Sequence, residues 1–80
     1  MFKVSILDLK KAGLIFEELV SGIILPGEEG ELSILDFHQP IISRLKKGLI
    51  KIDAKKPVFI KIKQGIAGMN GKELVVLVEK

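Results

Sequence analysis

Glycine or proline recurs along this chain at positions 13, 22, 26, 27, 30, 40, 48, 57, 65, 68 and 71. A glycine inside a helix costs about 1 kcal/mol and a proline about 3 kcal/mol. Punctuation this frequent leaves few segments long enough for a helix of average length. What it does leave is a series of short apolar runs, several of which alternate with period two. Phe2, Val4 and Ile6 share one face, as do Val58, Ile60 and Ile62, with Phe59, Lys61 and Lys63 opposite. Alternation resumes at Ile50 and Ile52. Residues 73–79 form a valine-rich run of the kind buried on both faces of a sheet. Asn70-Gly71 ahead of it predicts a type I′ hairpin turn. Short strands separated by turn signals point to a β-sandwich or barrel.

Two segments carry a competing helical pattern. Leu14–Leu19 reads as a helical turn. Pro40–Lys47 places proline at a first helical position, Gly48 just past the end, and Ile41, Ile42 and Leu45 on one face. Local pattern alone therefore predicts an α+β protein. The chain shows no internal repeat, linker or low-complexity tract, and 80 residues suit one domain with a modest core, spanning 1–80.

Charge is arranged rather than abundant: the net is +3. Residues 17–36 hold five glutamates and Asp36 with no Lys or Arg, whereas residues 44–63 hold Arg44 and seven lysines against Asp53 alone. Two solvated surfaces of opposite sign account for this, and so do two docking surfaces for different partners. With no cysteine, neither a disulfide framework nor a thiolate metal site is available. No charge-free run approaches a membrane span. Lys3 and Asp8 interrupt the first apolar segment, unlike a signal peptide. The expectation is a soluble, unprocessed protein that is free to dock on a membrane complex.

The stretch LPGEEGELSILDFHQP, residues 25–40, gathers Glu28, Glu29 and Glu31 around two glycines and adds the chain's one histidine, His38. Carboxylates in a glycine-flanked turn face water and stay ionised, which makes them weak general acids or bases. His38 has no partner set for nucleophilic catalysis, and no serine occupies a nucleophile elbow. The order of oxygen donors is not that of a calcium loop. The turn also lacks the Lys-Ser/Thr ending of a phosphate loop. A nucleic-acid reading of the basic half needs stacking aromatics. Of the four phenylalanines, Phe2, Phe16 and Phe59 lie in strand-like runs where burial is expected, and only Phe37 sits near a surface loop. Composition and motif thus give no catalytic, metal or nucleotide site.

Spacing is more specific than the ionisable groups. Leu25-Pro26-Gly27, then Gly30, Ile34-Leu35, His38, Pro40, Leu45 and Gly48 resembles the epsilon subunit of rotary ATP synthases (delta in mitochondria). The flanks FKVSILDLKKAGLIFEELVSGIIL and GKELVVLVE resemble that family's opening and closing strands, so the likeness covers the whole chain and corresponds to the family's N-terminal domain. It departs at Asp36-Phe37, where a proline and then glycine or asparagine is common, and at Gln64-Gly65 in place of a glycine pair.

The resemblance implies an all-β fold: a two-sheet β-sandwich of short antiparallel strands, with 14–19 and 41–45 extended. It implies a non-catalytic central-stalk subunit that links the gamma subunit to the c-ring and couples ion flow to ATP synthesis. Such a subunit is peripheral to the membrane through its complex, on the cytoplasmic side of the bacterial inner membrane or at the organelle equivalent. It takes no cofactor, no small-molecule substrate and no nucleic acid. The turn Glu28, Glu29, Gly30 and Glu31 falls where relatives touch the c-ring, with a solvated turn as the competing reading. His38, Gln39, Pro40, Ile41 and Ile42 fall where relatives approach gamma, with His38 alternatively bonding its own loop. Many relatives continue into a C-terminal helical hairpin that binds nucleotide and inhibits ATP hydrolysis. The chain ends at Lys80, so the expectation is no autoinhibition and no ATP binding. The alternative function is a small basic β-barrel that binds nucleic acid.

Overall fold

The computed structural model describes residues 1–35 and 40–80. Among them there are nine strands and no helix: β1 (Phe2–Asp8), β2 (Leu14–Val20), β3 (Gly22–Gly27), β4 (Gly30–Leu35), β5 (Ile41–Leu45), β6 (Gly48–Asp53), β7 (Val58–Ile62), β8 (Gln64–Asn70) and β9 (Glu73–Glu79). Hydrogen bonds run in the order β2-β1-β9-β8-β5-β3-β6-β7, with β4 on the other edge of β3. The sheet curls on itself into two layers. One contains β2, β1, β9, β8 and β5; the other contains β4, β3, β6 and β7. They join where Gly27 pairs Leu45, a single bridge between β3 and β5.

Both segments with a helical pattern are strands. β2 pairs along its length with β1, and β5 with β8 from Ile41↔Met69 to Leu45↔Gly65. Cross-strand pairing and burial override a weak local propensity. Two details depart from expectation. Not every pair is antiparallel: β1 runs parallel to β9 and so closes the five-stranded layer between the chain's first and last strands. The β8–β9 hairpin also turns one residue later than predicted. Asn70 pairs Glu73, and Gly71 alone has positive φ, at 67°. That is the φ pattern of a type II′ turn, which needs glycine at its first central position.

The core lies between the layers. Phe2, Val4, Ile6, Leu74, Val76, Val78, Ala67 and Met69 come from the five-stranded side, facing Ile23, Leu25, Ile34, Ile50, Ile52, Ile60 and Ile62 from the other. The period-two reading of β1, β6 and β7 is thus met. Phe59 is a correction. It is 61% exposed, because it alternates with the buried Ile60 and faces outward with Lys61.

The turn from β1 to β2 holds a local strain. The Asp8 carboxylate accepts the amides of Lys10 (2.9 Å) and Lys11 (3.1 Å). The Lys11 bond in particular holds the Asp8 carboxyl below its ordinary pKa. The turn's stabilisation by this group is therefore present above the unfolded pKa and lost as pH falls through the folded one. Further on, Ala12 has φ 52°. A non-glycine residue there costs about 1–2 kcal/mol, against roughly 0.5–1 kcal/mol of extra chain entropy for glycine. Ala12→Gly is expected to raise the melting temperature by a few degrees in differential scanning fluorimetry.

Candidate functional site

Three backbone contacts build the site at the seam. Gly27 pairs Leu45. The Lys46 amide donates to the Pro26 carbonyl (2.8 Å), and the Glu28 amide donates to the Arg44 carbonyl (3.0 Å). They fix the turn between β3 and β4 against the end of β5. Gly27 pairs Gly30 across that turn, leaving Glu28 and Glu29 at its tip. Both glycines are required. A Cβ on Gly27 would stand 2.6 Å from the Gly30 carbonyl oxygen, and Gly30 has φ 133°, which side chains rarely adopt. The proline and glycine of the motif also meet in space. A Cβ on Gly48 would stand 2.7 Å from the Pro26 ring, so the ring lies directly over that glycine.

The result is an open cleft of 520 Å³ lined by residues 27–32 on one side and Ile42, Ser43 and Arg44 on the other. Glu28, Glu29, Gly30 and Glu31 are all exposed. Among the described residues the ion pairs are Lys3–Glu17 (3.5 Å) and Lys10–Glu79 (3.8 Å), so the carboxylates of Glu28, Glu29 and Glu31 stand without a cation. No three acidic or histidine side chains among the described residues converge as metal ligands. No helix among them is long and apolar enough to cross a membrane.

The structure brings together residues the sequence assigned to two partners. Ile42, from the predicted gamma set, borders the same cleft as the acidic turn. Ile42 is 83% exposed, Ile41 packs partly against the core, and Pro40 is exposed. His38 and Gln39 lie outside the described residues, as do Asp36 and Phe37.

Register reveals a surface that alternation alone did not. Leu14, Leu7, Leu77, Ile66 and Arg44 form one row across β2, β1, β9, β8 and β5. Glu17, Ser5, Val75, Gly68 and Ile42 form the next, in which Ser5 is buried and its hydroxyl donates to the Glu17 carboxylate (3.0 Å). Both rows face away from the core, since the row between them is buried at Ile6, Val76 and Ala67. The outward face of the five-stranded layer therefore carries an apolar band, bordered by Glu17 on β2 and ending at Ile42 and Arg44 beside the acidic turn. Leu14, Ile66 and Ile42 are exposed in it and Leu7, Leu77 and Val75 are half-buried between them, an apolar grouping of the kind that interaction sites use. In the sequence, only the excess of apolar residues at alternate outward positions hinted at it.

Fold and site together define a small, two-layered all-β module whose distinctive chemistry lies on its outer faces and on one turn. The chain belongs to the family of the ATP synthase delta/epsilon chain β-sandwich domain, which matches residues 1–80. The ATP synthase epsilon chain of Rickettsia bellii is 51% identical over 39 residues, 49% of this chain and 36% of that protein. The epsilon chain of Campylobacter concisus is 49% identical over 43 residues, 54% of this chain and 33% of that protein. The matched stretch thus spans about a third of these relatives. A chain in the Euglena gracilis mitochondrial ATP synthase shares the fold with a TM-score of 0.86 at 20% identity, covering 96% of this chain and 49% of that one. One in the central stalk and c-ring structure of the Tetrahymena thermophila mitochondrial ATP synthase does so at 0.80 and 18%, covering 98% and 63%.

Gly27→Ala tests the turn. Its clash is with backbone, which does not yield as a side chain would, so a loss of about 1–3 kcal/mol is expected in chemical denaturation. Gly68→Ala, with open space around its Cβ, serves as the tolerated control.

Proposed function

We propose that this chain is a non-catalytic rotor subunit of a rotary ATP synthase. Its outward apolar band docks the gamma subunit, and its acidic turn docks the ring of c subunits. Residues 1–80 act as one stiff domain. It sits at the membrane surface through these partners, on the cytoplasmic side of a bacterial inner membrane or at its organelle equivalent. It contributes position and rigidity to the coupling of ion flow and ATP synthesis, not a reacting group.

The observation that carries this reading is the continuity of the band with the turn. The two rows that carry the band end at Ile42 and Arg44, and the cleft beside them is walled by Glu28, Glu29 and Glu31. A subunit that must transmit torque needs adhesion on adjoining surfaces and little give between them. Here the two surfaces are joined by the backbone contacts at Pro26, Gly27 and Glu28. Gamma contact at Pro40, Ile41 and Ile42 is supported for Ile42 by its exposure and position in the band. Ile41 supports it from within, by packing against the core.

The two surfaces differ in what they supply. Buried apolar side chains at the centre of an interface carry most of its affinity. Exposed ion pairs are each worth about 0–1 kcal/mol. Gamma binding therefore supplies the affinity, and the carboxylates orient the chain on the ring.

Ile42→Asp keeps the fold, because the side chain is solvated, and is expected to weaken co-elution with the cognate gamma subunit at least about tenfold. Unchanged co-elution would remove the band from the interface. Glu31→Lys is expected to leave gamma binding intact and to weaken retention on isolated c-ring by roughly two- to fivefold. Equal retention would return Glu31 to ordinary solvated surface.

A further inference from the structure

The second layer also presents an outward face, and it has a different character. Its register places Ser33, Ile24, Lys51 and Phe59 in one row. Leu35, Gly22 and Asp53 form the row beside it, and Leu49 pairs Lys61 on the other side. Leu35 lies across Gly22, where a Cβ would stand 2.9 Å from its Cδ2. Leu35 and Phe59 are 60% and 61% exposed. With Ile24 and Pro57 they line one cleft, whose polar members include Lys51 and Asp53. Lys51 stands within that row between Ile24 and Phe59, and Lys61 lies beyond Phe59 on the same strand, so two lysines sit among the exposed apolar side chains of this face. Neither lysine forms an ion pair among the described residues. The face lies across the core from the band assigned to gamma, so one partner of ordinary size seated on that band leaves it uncovered.

We propose that this face is a third docking surface, for an acidic protein segment. The occupant lies across the layer, with apolar side chains against Leu35 on β4 and Phe59 on β7 and carboxylates against Lys51 and Lys61. The charges on this face fix its sign. A basic segment would meet Lys51 and Lys61 with Asp53 as the one carboxylate in the row beside them. A nucleic acid strand fits less well, because stacking needs successive aromatic platforms and Phe59 is the one aromatic on this face among the described residues. The proposal rests on the rotor reading for its setting, but uses none of the residues assigned to gamma or the ring.

The test uses the purified, assembled complex. A zero-length carbodiimide couples lysine to a carboxylate in ion-pair contact, and the products are mapped by mass spectrometry. The expected result is a product joining Lys51 or Lys61 to an aspartate or glutamate of another subunit, with Phe59 protected from hydroxyl-radical oxidation relative to the isolated chain. The Lys51→Glu/Lys61→Glu double variant should lose that protection while still co-eluting with gamma. The co-elution separates failure of this surface from failure of the gamma reading. Absence of coupling at both lysines with Phe59 equally oxidised in complex and isolated chain would overturn the proposal. So would protection that nuclease treatment abolishes.

Discussion

The joint between the two layers, and with it the placement of the acidic turn, depends on the bridge between Gly27 and Leu45. It is the one pairing between β3 and β5, and so the one place where the hydrogen-bonded order passes from one layer to the other. On either side of it the Pro26 carbonyl accepts from Lys46 and the Arg44 carbonyl accepts from the Glu28 amide. A bridge this short works because its residues allow close approach. Gly27 admits the Gly30 backbone, and Gly48 admits the Pro26 ring. The same contacts that join the layers therefore also aim the acidic turn and set it beside Ile42. Sheet packing and site geometry share one set of atoms.

This arrangement explains why the spacing of Leu25, Pro26, Gly27, Gly30, Ile34, Leu45 and Gly48 was the most legible part of the sequence. Leu25, Ile34 and Leu45 are core side chains at the joint, and the others make the close approaches. Such positions are fixed by sterics, so they leave a recognisable pattern. The alternation in β1, β6 and β7 was legible for a related reason: a half-buried strand must alternate. Segments 14–19 and 41–45 were ambiguous because a run of mixed apolar and charged residues fits a helical stripe as well as a strand. What decides them is the partner strand, which lies far away in sequence.

The outer faces were the least legible. Phe59 was expected in the core because an aromatic in a strand-like run usually is, yet strand phase turns it outward with Lys61. The apolar band across β2, β1, β9, β8 and β5 is assembled from five strands whose order does not follow the chain, including a parallel pair. No local window contains it. Likewise Ile42 and the acidic turn looked like contacts for separate partners, and only the bridge shows that they border one cleft. For a module proposed to work by adhesion, the informative feature is the register between strands, visible only once the sheet is built.

The central claim is that the outward face of the five-stranded layer is the gamma-binding surface. Hydroxyl-radical footprinting of the chain alone and in complex with its cognate gamma subunit tests it at the level of side chains. The account predicts that Leu14, Ile42, Ile66 and Leu77 become protected together on binding, because register places them on one continuous surface. Protection confined to other positions, with these four oxidised equally in both states, would contradict it.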